Sequence, residues 1–134
     1  MKTGALLFRL TAIVVFLQIA LGGLLTFNFI SPAPHIVVGF LVLILALSTM
    51  VFALIAKPPF KPAQRLSIGL VVLIIVQIVL GFATLESGNS VIAWIHLLNA
   101  LAIYGMSIAG IFLTIQWNRM LDSNPGQSRT SSPI

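Results

Sequence analysis

Two histidines, His35 and His96, are the only imidazoles in a chain of 134 residues, and the chain has no cysteine. The lack of thiols excludes disulfides, thiolate metal sites, iron–sulfur clusters and c-type haem attachment. The surroundings of the two histidines repeat. Gln18-Ile19-Ala20-Leu21-Gly22 precedes His35, and Gln77-Ile78-Val79-Leu80-Gly81 precedes His96, with glutamine-to-histidine intervals of 17 and 19 residues. Two lone histidines in equivalent repeat positions match what a haem iron accepts, one axial imidazole on each face.

The elements that must position these residues follow from composition. The chain is 59% hydrophobic and only 7% charged, with a mean hydropathy of +1.14. Soluble domains carry about 25% charged residues, so this chain requires a lipid-facing surface. Four apolar runs, roughly 7–27, 35–56, 66–85 and 91–117, are each long enough to cross a hydrocarbon core of about 30 Å. Proline, glycine and serine punctuate the breaks between them. Backbone polar groups in lipid must be satisfied within the segment, so the runs are expected to be helices. The expected fold is an all-α membrane protein, a four-helix up-down bundle built from two repeated hairpins. Residues 1–117 would form the membrane domain, and 118–134, polar and rich in serine, a disordered cytoplasmic tail.

The net charge of +5 does not indicate nucleic acid, because the basic residues form no patch with interleaved aromatics. Lys2 and Arg9 lie at the start, Lys57, Lys61 and Arg65 in the middle connection, and Arg119 and Arg129 near the end, while the other two connections hold none. The positive-inside rule then places both termini in the cytoplasm and both histidines toward the outer face. A cleaved signal peptide is the competing reading of the first run, whose apolar core is longer than such signals usually have.

Depth and geometry sharpen the histidine pair. His35 lies 22 residues before Lys57 and His96 lies 23 before Arg119, a difference of about 1.5 Å along a helix. In an up-down bundle the second and fourth helices are diagonal, roughly 13 Å apart. That gap is expected to keep the imidazoles from touching and to suit a flat macrocycle between them. Gly39 and Ala100, each four residues after a histidine, share its helix face and make room. Gly22 and Gly81 do the same on the first and third helices. Gln18 and Gln77 would supply interhelical hydrogen bonds or contact the edge of a cofactor. Trp94 and Trp117 read as interface anchors, Asn99 and Tyr104 as bundle-lining residues, and Met50 and Met106 as gap-fillers. The alternatives are boundary histidines with no ligand, a zinc site, or one chlorophyll on each histidine.

Taken with His35-Ile36-Val37-Val38-Gly39 and Trp94-Ile95-His96-Leu97-Leu98, the two glutamine signatures resemble one four-helix half of the haem A synthase family over roughly residues 7–117. Members usually fuse two such halves, and half-size versions occur in some prokaryotes. The resemblance implies a multi-pass protein of a prokaryotic plasma membrane with one haem b held by His35 and His96. The family's functional half carries a glutamate three residues before the helix-2 histidine. Here that position is Pro32, the position before His96 is Ala93, and Glu86 is the remaining acid near the outer loops. The resemblance therefore carries haem binding further than catalysis and leaves enzyme activity open. Three function classes follow. One is an electron carrier exchanging with a quinol or haem partner, as a homo-oligomer or a subunit of a redox membrane complex. The second is an enzyme of haem A formation. The third is a cofactor-free accessory subunit of a respiratory or photosynthetic complex.

Overall fold

The computed structural model describes residues 2–123 as four helices: α1 (Lys2–Thr26), α2 (Pro32–Ile55), α3 (Lys61–Ser87) and α4 (Ser90–Ser123). All four are long and apolar enough to cross a membrane, the build of a multi-pass membrane protein. Their outward faces are apolar too, with Ile13, Phe16, Ile44, Val79 and Phe112 each more than half exposed, as contact with lipid tails requires. The connections 27–31, 56–60 and 88–89 are short, which turns each helix back along its predecessor. α1 packs on α2, α2 on α3, α3 on α4 and α4 on α1, whereas neither diagonal pair approaches closely among the described residues. The helices close a ring with α2 and α4 across it, as the hairpin repeat predicts.

The helices outrun the apolar stretches that announced them. Pro32 and Pro62 open the first turns of α2 and α3, where the missing N–H is unneeded and the fixed φ suits the helix. Prolines read as loop residues are therefore helix starts. At the other end α4 continues through Ser123, six residues past Trp117, where the sequence reading begins the tail. Arg119, Met120 and Leu121 are good helix formers, and propagation from an existing helix costs little. Residues 124–134 of the expected tail lie outside the described residues. Gly88, at φ 61°, ends α3 in the left-handed conformation that glycine adopts without strain, its N–H bonding the Thr84 carbonyl. The Asn89 side chain then accepts from the N–H groups of Val91 and Ile92, at 2.8 and 3.4 Å, and starts α4.

Burial divides the bundle by depth. Every fully buried residue falls within 5–15, 42–53, 63–74 or 100–114, and none within 16–41 or 75–99. The end where α1 begins, α4 ends and the 56–60 connection lies is thus packed solid, and the histidine end is not. Phe8, Leu70, Ile74 and Ile103 form the centre of the packed half. The aromatic ring of Phe8 rests against Gly110, where any Cβ would collide with it. Buried hydroxyls on Thr11, Thr49, Ser107 and Thr114 bond carbonyls of their own helices, which satisfies them without breaking the apolar interior. Gln64 reaches from α3 to the Ala53 carbonyl of α2 at 3.1 Å. Trp117 stacks on Phe60 with ring centres 4.5 Å apart, seating α4 against the middle connection.

The repeat is visible in this burial. Gln18 to Gln77 is a step of 59 residues and His35 to His96 a step of 61. The same steps carry buried Ala5, Phe8, Thr11, Ala12 and Val15 onto buried Gln64, Ser67, Leu70, Val71 and Ile74. They carry buried Val42, Ala46, Thr49 and Ala53 onto buried Ile103, Ser107, Gly110 and Thr114. The two hairpins therefore present the same helix faces inward.

Candidate functional site

The loosely packed half encloses a cavity of about 1050 Å³, whose walls include Gln18, Gly22, His35, Gly39, Gln77, Gly81, His96 and Ala100. All eight residues singled out from the sequence meet there. The floor is the repeat pair Val15 and Ile74 with the repeat pair Val42 and Ile103, and the mouth lies among Asn28, Pro32, Gly88, Ser90 and Trp94. A volume at the upper end of the range for small-molecule sites, walls mainly apolar and a few convergent polar groups make this the default binding site of the molecule.

Each histidine is positioned by its own hairpin. His35 projects from the second turn of α2 and His96 from the second turn of α4, so both reach inward at one level. Gly22 lets the His35 ring lie on α1, since a Cβ there would come within 3.2 Å of the imidazole Cε1. Gly81 does the same for His96 at 3.1 Å. The glutamines grip the rings from the side: Gln18 Nε2 lies 3.2 Å from His35 Nε2, and Gln77 Nε2 lies 3.3 Å from His96 Nε2. Gly39 sits beneath the Gln18 amide, which would be 3.1 Å from a Cβ at that position.

The imidazoles face each other with ring centres 6.1 Å apart and planes inclined by 62°. This corrects the expectation that the diagonal gap holds them well apart. That gap was judged between helix axes, whereas each side chain extends several ångströms inward and the two rings share the cavity. A metal–nitrogen bond of about 2 Å, with the ring centre roughly 1.1 Å behind the nitrogen, puts two imidazoles on opposite faces of one metal ion about 6 Å apart. The ring-centre spacing matches that distance, while the rings stand edge-on and each Nε2 is engaged by its glutamine. In addition, Nδ1 of both histidines and Oε1 of Gln18 are buried with no hydrogen-bond partner. Buried polar groups are nearly always paired; a metal held at the two Nε2 atoms would leave both Nδ1 atoms as they are, so of the three it is Gln18 Oε1 that an occupant could satisfy.

Other expectations meet the structure unevenly. Trp94 lines the mouth and is 63% exposed, in keeping with a boundary position. Met50 and Met106 pack against the core below the cavity, and Met106 Cε fills the space beside Gly69. Tyr104 is partly buried against Phe16, with ring centres 6.2 Å apart. Glu86 is exposed and outside the cavity wall, which contains no carboxylate. Asn99 is the residue whose part the sequence left undefined. Its Nδ2 donates to the Leu73 carbonyl at 2.9 Å and to Gln77 Oε1 at 2.7 Å. The repeat offers a signal for it, because the equivalent position in the first hairpin is Val38. A polar residue replacing an apolar one at matched depth marks a hydrogen bond that one half makes and the other lacks.

Comparison with protein-family models, characterised proteins and solved structures finds none that matches this chain.

Proposed function

We propose that the chain is a membrane-embedded haem b-binding protein in which His35 and His96 supply the two axial ligands, and that it transfers electrons. The observation that carries this reading is the pair of imidazoles meeting at 6.1 Å across a cavity of about 1050 Å³. A bound haem would contribute one-electron exchange. The chain's own residues hold the rings, exclude water with apolar walls and leave room through Gly22, Gly39, Gly81 and Ala100. Asn28 and Ser90 at the mouth are the polar groups nearest to hand for the propionates. Among the described residues no Arg or Lys lines the cavity, so an outer-side partner that neutralises the propionates fits this reading, as a subunit of a redox membrane complex or a homo-oligomer with quinol as donor.

The distribution of basic residues supports cytoplasmic termini and a cavity opening toward the outer face of a prokaryotic plasma membrane. Electron transfer is favoured over haem A formation because oxidising a macrocycle methyl group requires proton handling, and among the described residues the cavity wall carries no carboxylate. The resemblance to half of a haem A synthase rests on the glutamine and histidine motifs and bears on the binding frame, not on catalysis.

The test is the visible spectrum of the protein purified from cells supplied with haem precursor. Sharp low-spin bands, lost in His35→Ala and in His96→Ala, are the expected result. A colourless protein would leave the cofactor-free accessory subunit in its place. Haem A extracted from cells expressing the chain with its precursor would move the assignment to the enzyme.

A further inference from the structure

The two hairpins place equivalent atoms around the cavity, yet they treat their histidines differently. In the second hairpin Asn99 Nδ2 donates to Gln77 Oε1 at 2.7 Å. That bond occupies the amide's oxygen and turns its nitrogen toward His96. The Gln77 N–H therefore donates to His96 Nε2, 3.3 Å away. An imidazole nitrogen that accepts is unprotonated, so the neutral His96 ring carries its proton on Nδ1. The second Asn99 bond, to the Leu73 carbonyl at 2.9 Å, anchors this chain of contacts on the α3 backbone.

The first hairpin has no such anchor. Val38 stands where Asn99 stands, and Gln18 Oε1 is buried without a partner. Either end of the Gln18 amide can face His35 Nε2, and each choice selects a different tautomer of the ring. Nothing around Gln18 decides between them.

We infer that Asn99 is a positioning residue that acts through Gln77 to hold His96 in a single tautomer, with its proton on Nδ1 and the Nε2 lone pair available for a metal, and that His35 lacks this restraint. The inference does not rest on the haem-binding reading.

The deciding experiment is ¹⁵N NMR of the full chain, labelled at histidine, in detergent micelles without haem. His96 is expected to show one protonated and one bare nitrogen, and His35 intermediate shifts from mixed tautomers. Asn99→Val should make His96 behave like His35, and Val38→Asn should make His35 behave like His96. The Val38→Asn gain keeps the idea open to refutation where Asn99→Val fails to fold. Equal tautomer populations in the unaltered chain, or an unchanged His35 in folded Val38→Asn, would overturn the inference. Tautomer asymmetry in a chain that binds no haem defeats the haem assignment and leaves the role of Asn99 standing.

Discussion

The packed half and the hollow half of the bundle are built by the same repeat but keep different parts of it. In the packed half none of the buried repeat pairs is identical: Phe8 answers Ser67, Thr11 answers Leu70, Ala46 answers Ser107 and Thr49 answers Gly110. Around the cavity Gln18 and Gln77, Ile19 and Ile78, Gly22 and Gly81, and His35 and His96 are the same residue in both hairpins, while apolar lining pairs such as Gly23 and Phe82 or Ile36 and Leu97 differ. Packing asks only that volumes sum correctly, so a large Phe8 in one hairpin is accommodated by a missing side chain at Gly110 in the other. A ligand-holding wall asks for particular atoms at particular places. Volume tolerates trading between neighbours; lone pairs do not.

This contrast can be broken most directly at the histidines. Removing either imidazole by alanine is expected to abolish the low-spin absorption while the bundle stays folded, because no buried core residue is touched. Optical spectra together with helical circular dichroism check it, and full haem content in both variants would end the ligand assignment. Next in size are Gly22→Leu and Gly81→Leu. Both fill the space where the imidazoles rest against the neighbouring helix of their own hairpin, at 3.2 and 3.1 Å from a first side-chain carbon, and should remove most bound haem to similar extents. A large difference between them would show that the two walls are less alike than their sequences.

The packed half should answer in stability instead. Gly110→Ala drives a methyl group into the Phe8 ring and should lower bundle stability by about 1–3 kcal/mol, read from unfolding in mixed detergent micelles. The haem spectrum of the folded fraction should not change, and a shifted spectrum would mean that the two halves are mechanically coupled. The smallest effect belongs to Thr11→Val. The Thr11 and Thr49 hydroxyls are 3.4 Å apart across α1 and α2, and interhelical hydrogen bonds in membranes average about 0.6 kcal/mol. A loss of several times that amount would assign the hydroxyl a role beyond this contact.

Much of the site was legible from sequence because it consists of residue types that stand out against an apolar background. Two histidines, two glutamines and the glycines that flank them are rare enough to align by eye, and the repeat relation converts that alignment into a shared depth. Asn99 was not legible in the same way. Its value depends on Gln77 and the Leu73 carbonyl lying within reach on α3, a relation between helices that no spacing within α4 encodes. The helix ends were misjudged for a related reason. Apolar runs mark the stretch that prefers lipid, whereas helices extend until a backbone obstacle ends them, and Pro32 and Pro62 start helices rather than stop them.

Sequence alone determined that there are four helices that prefer lipid and that they form two copies of one hairpin. It also determined that His35 and His96 share one level, since hydrophobicity, length and repeat register are properties of the chain read in order. Tertiary structure decided the rest. It closed the helices into a ring with α2 opposite α4, left the histidine end hollow, and brought the imidazoles to 6.1 Å. It also gave His96 a restrained partner where His35 has none. These depend on which side chains meet across the bundle, and a distance between two helices is set by everything packed between them, not by either helix alone.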